Sequence, residues 1–394
     1  MLLNKVAIIT THPIQYYAPL FKLLTQRNKV QVKVFYTWGD QAKEKVFDPG
    51  FGKLVEWDIP LLSGYEYEFV KNIATTPGSS HFRGIINPGL INQIQAYQPK
   101  ALLVFGWAFQ SHLKVVQHFK GKIPIYFRGD STLLDEQKGF SVKKLARRIF
   151  LKWVYRHIDK ALYVGTNNKA YYKAHGLKEE QLVYTPHAID NDRFEDKDEK
   201  YREQANEWKK TLNISDNKLI VLFAGKLEPK KNPMFLIEAA KQLPQMHFII
   251  VGNGVLESKI KQATAALENM TWLPFQNQSI MPAVYRLADI FALPSQGPGE
   301  TWGLAINEAM ASGRIVIASN KCGGAIDLIK DGENGFVIQS NPIELINRLR
   351  QLLQADCSIE KLKEMSARRI KSFSLQKVAS AIENTILQTY QTIQ

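Results

Sequence analysis

Short apolar, β-rich runs alternate with helical stretches twice over in this 394-residue chain, and no other feature constrains its fold as tightly. In the first half the runs are KVAIIT, VQVKVFY, ALLVFG, IPIYFRG and ALYVG, set among helical stretches near 15–27, 87–97, 110–119, 141–157 and 167–175. In the second half KLIVLFAG, HFIIVG, MTWLPF, DIFALP and RIVIAS play the same part. A strand apolar at nearly every position is buried on both faces, so helices must cover both sides of a parallel sheet. Two such sets predict an α/β chain of two doubly wound, Rossmann-like domains, with ligands at the carboxyl ends of the strands.

The polar, charge-dense stretch 191–218 marks the boundary and contains an exposed helix near 199–212. The expected division is a first domain over 1–192, a linker over 193–217, a second domain over 218–372 and a helix over 373–394. That last helix carries Val378, Ile382, Ile386 and Leu387 on one stripe and is expected to pack back across the domains. Residues 37–85 are glycine-dotted and read as an insertion or loop hairpin.

Composition narrows the class. Hydrophobic residues make up 45% of the chain, which excludes wholesale disorder. Two cysteines, Cys322 and Cys357, exclude a disulfide framework and fit a reducing compartment. The apolar run in MLLNKVAIITTHP is too short for a secretory or spanning segment, so a cytoplasmic protein is expected, peripheral at an inner membrane surface if it meets one. The net charge of +14 is uneven: residues 1–193 hold 27 Lys/Arg against 15 Asp/Glu, the remainder 24 against 22. A basic half beside a near-neutral half suggests different partners for each, with anionic membrane, nucleic acid and phosphorylated substrate all open.

GETWGLAINEAMASG, residues 299–313, holds two carboxylates, Glu300 and Glu308. On one continuous helix they would sit about 80° apart and roughly 12 Å along the axis, a poor geometry for a shared task. A helix starting near Trp302 or Gly303 separates their roles, with Glu300 in the preceding loop and Glu308 two turns inside. FAGKLEPKKNPMFLIEAA ends a strand at Ala224–Gly225, sets Lys226 and Lys231 five apart and opens a helix. Such a strand end can hold an anion, and a solvated lysine-rich loop fits the same residues. HFIIVGNG offers only G-x-G, and NKCGGAIDLI a glycine pair before a helix. Neither a P-loop nor zinc-ligand spacing occurs.

Taken in order, FAGKL…KKN, IIVGNG, LPS…GETWGLAINEAMASG and CGGAIDLI…GENGFV resemble the retaining glycosyltransferases of family 4, which have the GT-B fold of two Rossmann-like domains facing across a cleft. The resemblance covers 218–340 and the tail, and reaches into the first half through VGTNNKAYYKAHGLKEEQLVYTPHAIDNDRF. Glu300 and Glu308 match the family's two-glutamate signature with seven residues between, and Lys226 and Lys231 its basic pair, although arginine is commoner at the former. The resemblance implies that Glu300 faces the donor sugar and Glu308 accepts from the ribose hydroxyls. It implies that the turn at Trp302, Gly303 and Leu304 offers backbone N–H groups to a diphosphate. Lys226 and Lys231, after Gly225, would neutralise that diphosphate as it leaves. The nucleobase would lie near Gly252, Asn253, Gly254 and Leu273, Pro274, Phe275. DND at Asp190–Asp192 spells the metal-binding pattern of the other glycosyltransferase fold, but PHAIDNDRF matches the family's interdomain stretch, so neither metal nor cofactor is expected.

The first half departs from the family. Its N-terminal glycine pair is replaced by THPIQYYAPLF, which puts His12 and Gln15 at the end of the first strand, with a catalytic or a structural role for His12. Arg128 and Asp130 stand where many relatives carry a histidine; Arg128 could grip an acceptor phosphate or carboxylate, or pair with Asp130. His187 is equally open. In the basic segment 141–160, Val142, Leu145, Ile149 and Trp153 form a stripe that would ordinarily face a sheet, while its basic face could meet anionic headgroups.

The implied function is retaining, metal-independent hexosyl transfer from a UDP- or GDP-sugar to a cell-surface glycan or lipid-linked acceptor, the donor on the second domain and the acceptor on the first. A sugar-nucleotide epimerase on the same fold is the alternative enzyme. A basic membrane or nucleic-acid binding protein is the non-enzymatic alternative, but no nucleic-acid module is present and no nucleic-acid partner is expected.

Overall fold

The strands run β1 (Asn4–Thr10), β2 (Val30–Tyr36), β3 (Val46–Asp48), β4 (Lys53–Val55), β5 (Glu66–Phe69), β6 (Ala101–Phe105), β7 (Ile125–Arg128), β8 (Lys160–Tyr163) and β9 (Leu182–Tyr184). There follow β10 (Ile220–Ala224), β11 (His247–Val251), β12 (Met270–Leu273), β13 (Ile290–Leu293), β14 (Ile315–Ser319) and β15 (Gly335–Ile338). The computed structural model describes residues 4–39, 46–48, 50–136, 139, 141–197, 199–215, 217–354 and 358–393; Cys357 lies outside them. Two compact units emerge. One comprises Met1–Val46, Pro60–His187 and Leu375–Gln394, the other Phe47–Ile59 and Ala188–Ser374.

The first unit holds a seven-stranded sheet of order β5-β2-β1-β6-β7-β8-β9, the second a six-stranded sheet of order β12-β11-β10-β13-β14-β15. Every pairing in both is parallel. The central strands show why. Ile8, Ile9, Leu102, Leu103, Val104 and Phe223 are fully buried, which needs cover on both faces. Fully burying one such side chain contributes roughly 1.5–3 kcal/mol. Strand order reverses between β1 and β6 in the first sheet, and between β10 and β13 in the second. At such a switch point the loops part in opposite directions and leave a crevice.

The helix Leu375–Ile393 belongs to the first unit. Val378, Ile382 and Ile386 are buried, and Glu383 is buried with them. Arg27, in the last turn of the helix Ala18–Arg27, answers that charge: Nε lies 2.8 and 3.0 Å from the two carboxylate oxygens and Nη2 2.9 Å from one. Tyr126 on β7 adds a bond to Thr389 Oγ1 at 2.7 Å.

The helix Val142–Tyr155 inverts the expected face. Leu151, Val154 and Tyr155 are its buried residues, and Trp153 is half-buried. Val142 is 74% and Ile149 64% exposed, with Leu145 and Phe150 exposed beside them. The expected stripe points to solvent because its first two turns extend past the sheet's cover; only the C-terminal turns reach the core around Tyr171 and Tyr172. Among the described residues, no helix is long and apolar enough to cross a membrane.

Removing Arg27 strands a buried carboxylate. Arg27→Met should lower the unfolding free energy of the first unit by about 2–3 kcal/mol, the low end for a broken buried pair because Arg27 is itself partly exposed. Urea unfolding of the variant against the parent measures it; a loss under about 0.5 kcal/mol would reduce the pair to a surface contact.

Candidate active site

The crevice at the β10/β13 switch point collects most of the residues singled out in the second half. The chain leaves β10 through Gly225 and Lys226 and makes a short turn at Pro229–Lys231 before the helix Met234–Gln242. It leaves β13 through Ser295 and reaches Glu300 just before the helix Leu304–Ala311. Lys231 Nζ bonds Glu300 Oε2 at 2.7 Å across this crevice, and Ser295 Oγ donates to the same oxygen at 3.1 Å. Both partners of the pair keep only a small part of their side-chain surface exposed.

The helix begins at Leu304, so Glu300 lies in the loop and Glu308 inside, as the spacing of the two carboxylates predicts. Gly303 caps it at φ +90°, a left-handed conformation that suits glycine. Glu308 is 3% exposed, and its Oε2 accepts a bond from Tyr285 Oη at 2.7 Å. Behind the loop, Trp302 is buried, with its indole N–H on Asn307 Oδ1 at 2.8 Å. The glycine pair docks here: Gly323 N donates to Glu300 O at 3.0 Å and Gly324 N to Trp302 O at 2.9 Å. A β-carbon on Gly324 would stand 2.7 Å from the Trp302 ring, so this turn needs glycine for close approach.

The G-x-G turn after β11 sits beside the first lysine loop. A β-carbon on Gly252 would collide with the Gly225 carbonyl. Asn253 is fixed on three sides: its carbonyl accepts from Leu227 N at 2.9 Å, its Oδ1 from Phe275 N at 2.8 Å, and its Nδ2 donates to Glu257 at 2.7 Å. Pro274 is exposed between Leu273 and Phe275. Lys226 does not join Lys231. Its Nζ lies 2.8 Å from Asp48 Oδ1, in the hairpin of β3 and β4 that comes from the first half of the sequence.

Three further partners carry no motif signal of their own: Tyr285 on Glu308, Ser295 on Glu300 and Asp48 on Lys226. Ser295 ends the quoted LPS and could have been found as a hydroxyl at a strand end, whereas Tyr285 and Asp48 are non-local. Cys322 is buried beneath this loop, and burial pushes its thiol up to about 12, so it stays protonated. Asp190–Asp192 leads a short helix, Asn191–Phe194, whose Asn191 Nδ2 bonds Ile370 O and Phe373 O; Asp192 faces Lys197 at 3.6 Å.

The first-half candidates lie in the other unit. Arg128 is buried at the end of β7, and its Nη1 and Nη2 donate to Thr185 O, Thr185 Oγ1 and Pro186 O at 2.8, 2.6 and 3.1 Å. The guanidinium is thus committed to pinning the β9 exit. Its Nη atoms bond those oxygens, Nε is buried without a bond, and Asp130 lies close enough to act on the guanidinium electrostatically. Asp130 also stands 3.8 Å from His187. Burial, ahead of a partial offset from Asp130, holds the His187 imidazole below its ordinary value. His12 follows β1 with Nδ1 2.8 Å from Thr11 Oγ1 and its ring edge-on to Trp38. Desolvation lowers it to about 4, so it is neutral at pH 7.

The parallel strand orders and two doubly wound units define the class: the chain has the GT-B fold. The crystal structure of Anabaena Alr3699/HepE in complex with UDP and glucose superposes with a TM-score of 0.71 at 18% identity, covering 98% of this chain and 100% of that one. Residues 204–371, which contain the whole switch-point crevice, match the family described as Glycosyl transferases group 1. Among curated proteins, spore coat protein SA of Bacillus subtilis is 30% identical over 178 residues, 41% of this chain and 47% of that one. D-inositol 3-phosphate glycosyltransferase of Mycolicibacterium gilvum is 33% identical over 156 residues, 37% and 35%. The UDP-Gal:alpha-D-GlcNAc-diphosphoundecaprenol alpha-1,3-galactosyltransferase of Escherichia coli is 34% identical over 151 residues, 36% and 38%. The chain therefore spans half or less of the length of these curated relatives.

Beneath the strand ends of the first unit, His112 is fully buried with its ring nitrogens 2.9 Å from Gly106 O and 2.8 Å from Thr37 Oγ1. Desolvation brings it down to about 4. The unfolded chain takes up this proton near pH 6.5 and the native chain refuses it until about 4. Stability is therefore fully present above 6.5, falls as pH falls through that window, and is lost by about 4. From pH 7 to 5 the first unit should lose about 2 kcal/mol through this residue. Urea unfolding at the two pH values, parent against His112→Gln, should show a shallower loss in the variant.

Proposed function

We propose that the protein is a glycosyltransferase that moves a sugar from a nucleoside diphosphate sugar to a hydroxyl acceptor with retention at the anomeric carbon. The observation that carries this reading is the Lys231–Glu300 pair across the β10/β13 switch point. It lies inside the segment that matches the Glycosyl transferases group 1 family. The UDP in the Anabaena structure and the UDP-Gal donor named for the Escherichia coli relative favour a uridine nucleotide, with GDP the other base considered.

In this reading the bond from the anomeric carbon to the diphosphate oxygen breaks and a bond from the acceptor oxygen forms on the same face. The acceptor's proton passes to the departing diphosphate. Lys231 and Lys226 balance the charge that gathers on that leaving group, where preorganised positive charge lowers the barrier most. They do the electrostatic work otherwise given to a divalent ion. Glu300 faces the donor sugar, and Glu308, set by Tyr285, accepts from ribose. His12, neutral and near the end of β1, is suited to a hydrogen bond with the acceptor or donor sugar.

Kinetics with UDP- and GDP-sugars test the assignment. Lys231→Ala should weaken nucleotide diphosphate affinity roughly 10- to 150-fold, as for a charged hydrogen bond. Glu308→Gln should raise donor KM, and Glu300→Gln should mainly lower kcat. Turnover should persist in excess EDTA. Epimerised donor without transfer would favour the epimerase reading, and full activity in both glutamate variants would remove the site.

The acceptor is proposed to be a glycan precursor, lipid-linked in line with the diphosphoundecaprenol named for one relative. The exposed Val142, Leu145 and Ile149 stripe, flanked by Lys143, Lys144, Arg147 and Arg148 with no acidic residue from 141 to 156, is the feature that would meet an anionic bilayer. The chain should co-sediment with phosphatidylglycerol vesicles and not with phosphatidylcholine vesicles, and Ile149→Glu should abolish binding without altering UDP affinity. No binding to either vesicle type would sink the membrane assignment, and equal binding to both would sink its anionic preference.

A further inference from the structure

The hairpin of β3 and β4 is drawn from the first half of the sequence, yet Phe47–Ile59 belongs to the second unit. It is anchored at several points. Asn277 Nδ2 donates to Glu56 O at 2.6 Å, and Asp58 accepts from Ser279 N at 2.9 Å. Phe51 meets Phe275 edge-on with ring centroids 4.7 Å apart, and Lys53 Nζ stands 4.1 Å from the centroid of the same ring. Gly50 sits against the Lys226 side chain so closely that a β-carbon there would overlap it. Lys226 Nζ in turn lies 5.2 Å from the Phe51 ring.

At the tip, one carboxylate oxygen of Asp48 accepts from Gly50 N at 2.8 Å, from Phe51 N at 3.2 Å and lies 2.8 Å from Lys226 Nζ. Backbone N–H groups and a lysine converging on one anionic oxygen are what a phosphate oxygen also meets at a binding loop. Lys231 is matched by Glu300 in the same way, but Glu300 comes from the β13 loop, within the matched segment. Asp48 comes from a separate hairpin and, among the described residues, is paired with the other lysine.

We infer that Asp48 is a built-in competitor for the donor: its carboxylate holds Lys226 in the nucleotide-free protein, and a nucleoside diphosphate must displace it. This rests on the proposed role of Lys226 as a phosphate contact. The pair is partly exposed, so its own strength is modest. A diphosphate, with more charge than one carboxylate, can take the lysine; a weakly charged anion gains less by the exchange. The hairpin thereby sets a threshold on what enters and ties nucleotide arrival to a change at its tip.

Calorimetric titration with UDP across a double-mutant cycle tests this. Asp48→Asn keeps an oxygen for Gly50 N and Phe51 N, so the turn stays formed while the charge is removed. It should bind UDP on the order of three- to tenfold more tightly than the parent. Lys226→Ala should bind more weakly, and Asp48→Asn in the Lys226→Ala background should give little further gain. Tighter binding that persists undiminished without Lys226 would show a general charge effect and overturn the competition. Unchanged or weaker binding by Asp48→Asn, with Lys226→Ala still weakened, would overturn it while leaving the donor reading intact. Unchanged affinity in Lys226→Ala would remove the lysine from the donor site and the inference with it.

Discussion

The bond between Lys231 and Glu300 is the interaction on which the candidate site depends. It spans the point where the second sheet reverses strand order, and joins two loops that Gln296 N also ties to Lys230 O at 2.8 Å. Each partner removes a cost for the other. A lysine enclosed at a strand end would lose hydration without return, and so would a carboxylate held beside a buried serine. Paired, each offsets the desolvation of the other. Gly303 starts the helix after Glu300, so Glu300 stays in the loop while Glu308 lies inside the helix, bonded to Tyr285.

What aims the pair is backbone contact more than side-chain packing. Gly252 lets the turn after β11 lie against Gly225, and Gly324 lets the loop before β13's helix lie on its neighbour through Trp302. A methyl group at either place meets backbone or an indole that cannot swing aside. Peptide N–H and C=O groups of four strand-end loops are thereby stitched together: Leu227 N to Asn253 O, Gln296 N to Lys230 O, and Gly323 and Gly324 N to Glu300 and Trp302 O. A surface built from main chain moves little, which is what placing charge at a leaving group requires.

Much of this was legible in the sequence because it obeys local rules. The ten apolar runs are strands, since residues such as Val221, Leu222 and Phe223 have no face that tolerates water. Of the strands that escaped notice, β5, β9 and β15 lie at three of the four edges of the two large sheets, and β3 and β4 form a separate pair within the stretch read as an insertion or loop hairpin. An edge strand is short and half wet, so EYEF and LVY lack the apolar run that betrays a central strand. The two glutamates and two lysines were legible as a motif, but their partners were not, because nothing local connects Asp48 with Lys226 or Tyr285 with Glu308. The bonds from Arg128 to Thr185 and Pro186 were hidden for the same reason, since those oxygens lie more than fifty residues away in the sequence. The helix at Val142 misled in another way, because periodicity reports that a stripe exists and not which surface covers it.

The second half is nearly neutral overall, and its two candidate phosphate lysines are each matched by a carboxylate, Glu300 for one and Asp48 for the other. Bare lysines in a crevice would bind any small anion and repel one another when empty. A lysine matched by a carboxylate is held in place, and an anion that takes it must offset the loss of that pair. The two matches differ in kind. Glu300 lies in the loop that also presents Trp302 and Gly303, so a ligand at Lys231 keeps Glu300 nearby as a second contact. Asp48 is carried on a hairpin held by Phe275, Asn277 and Ser279, so its loss from Lys226 has a route to the rest of Phe47–Ile59. One lysine is therefore paired within the matched segment, the other with a hairpin drawn from far away in the sequence.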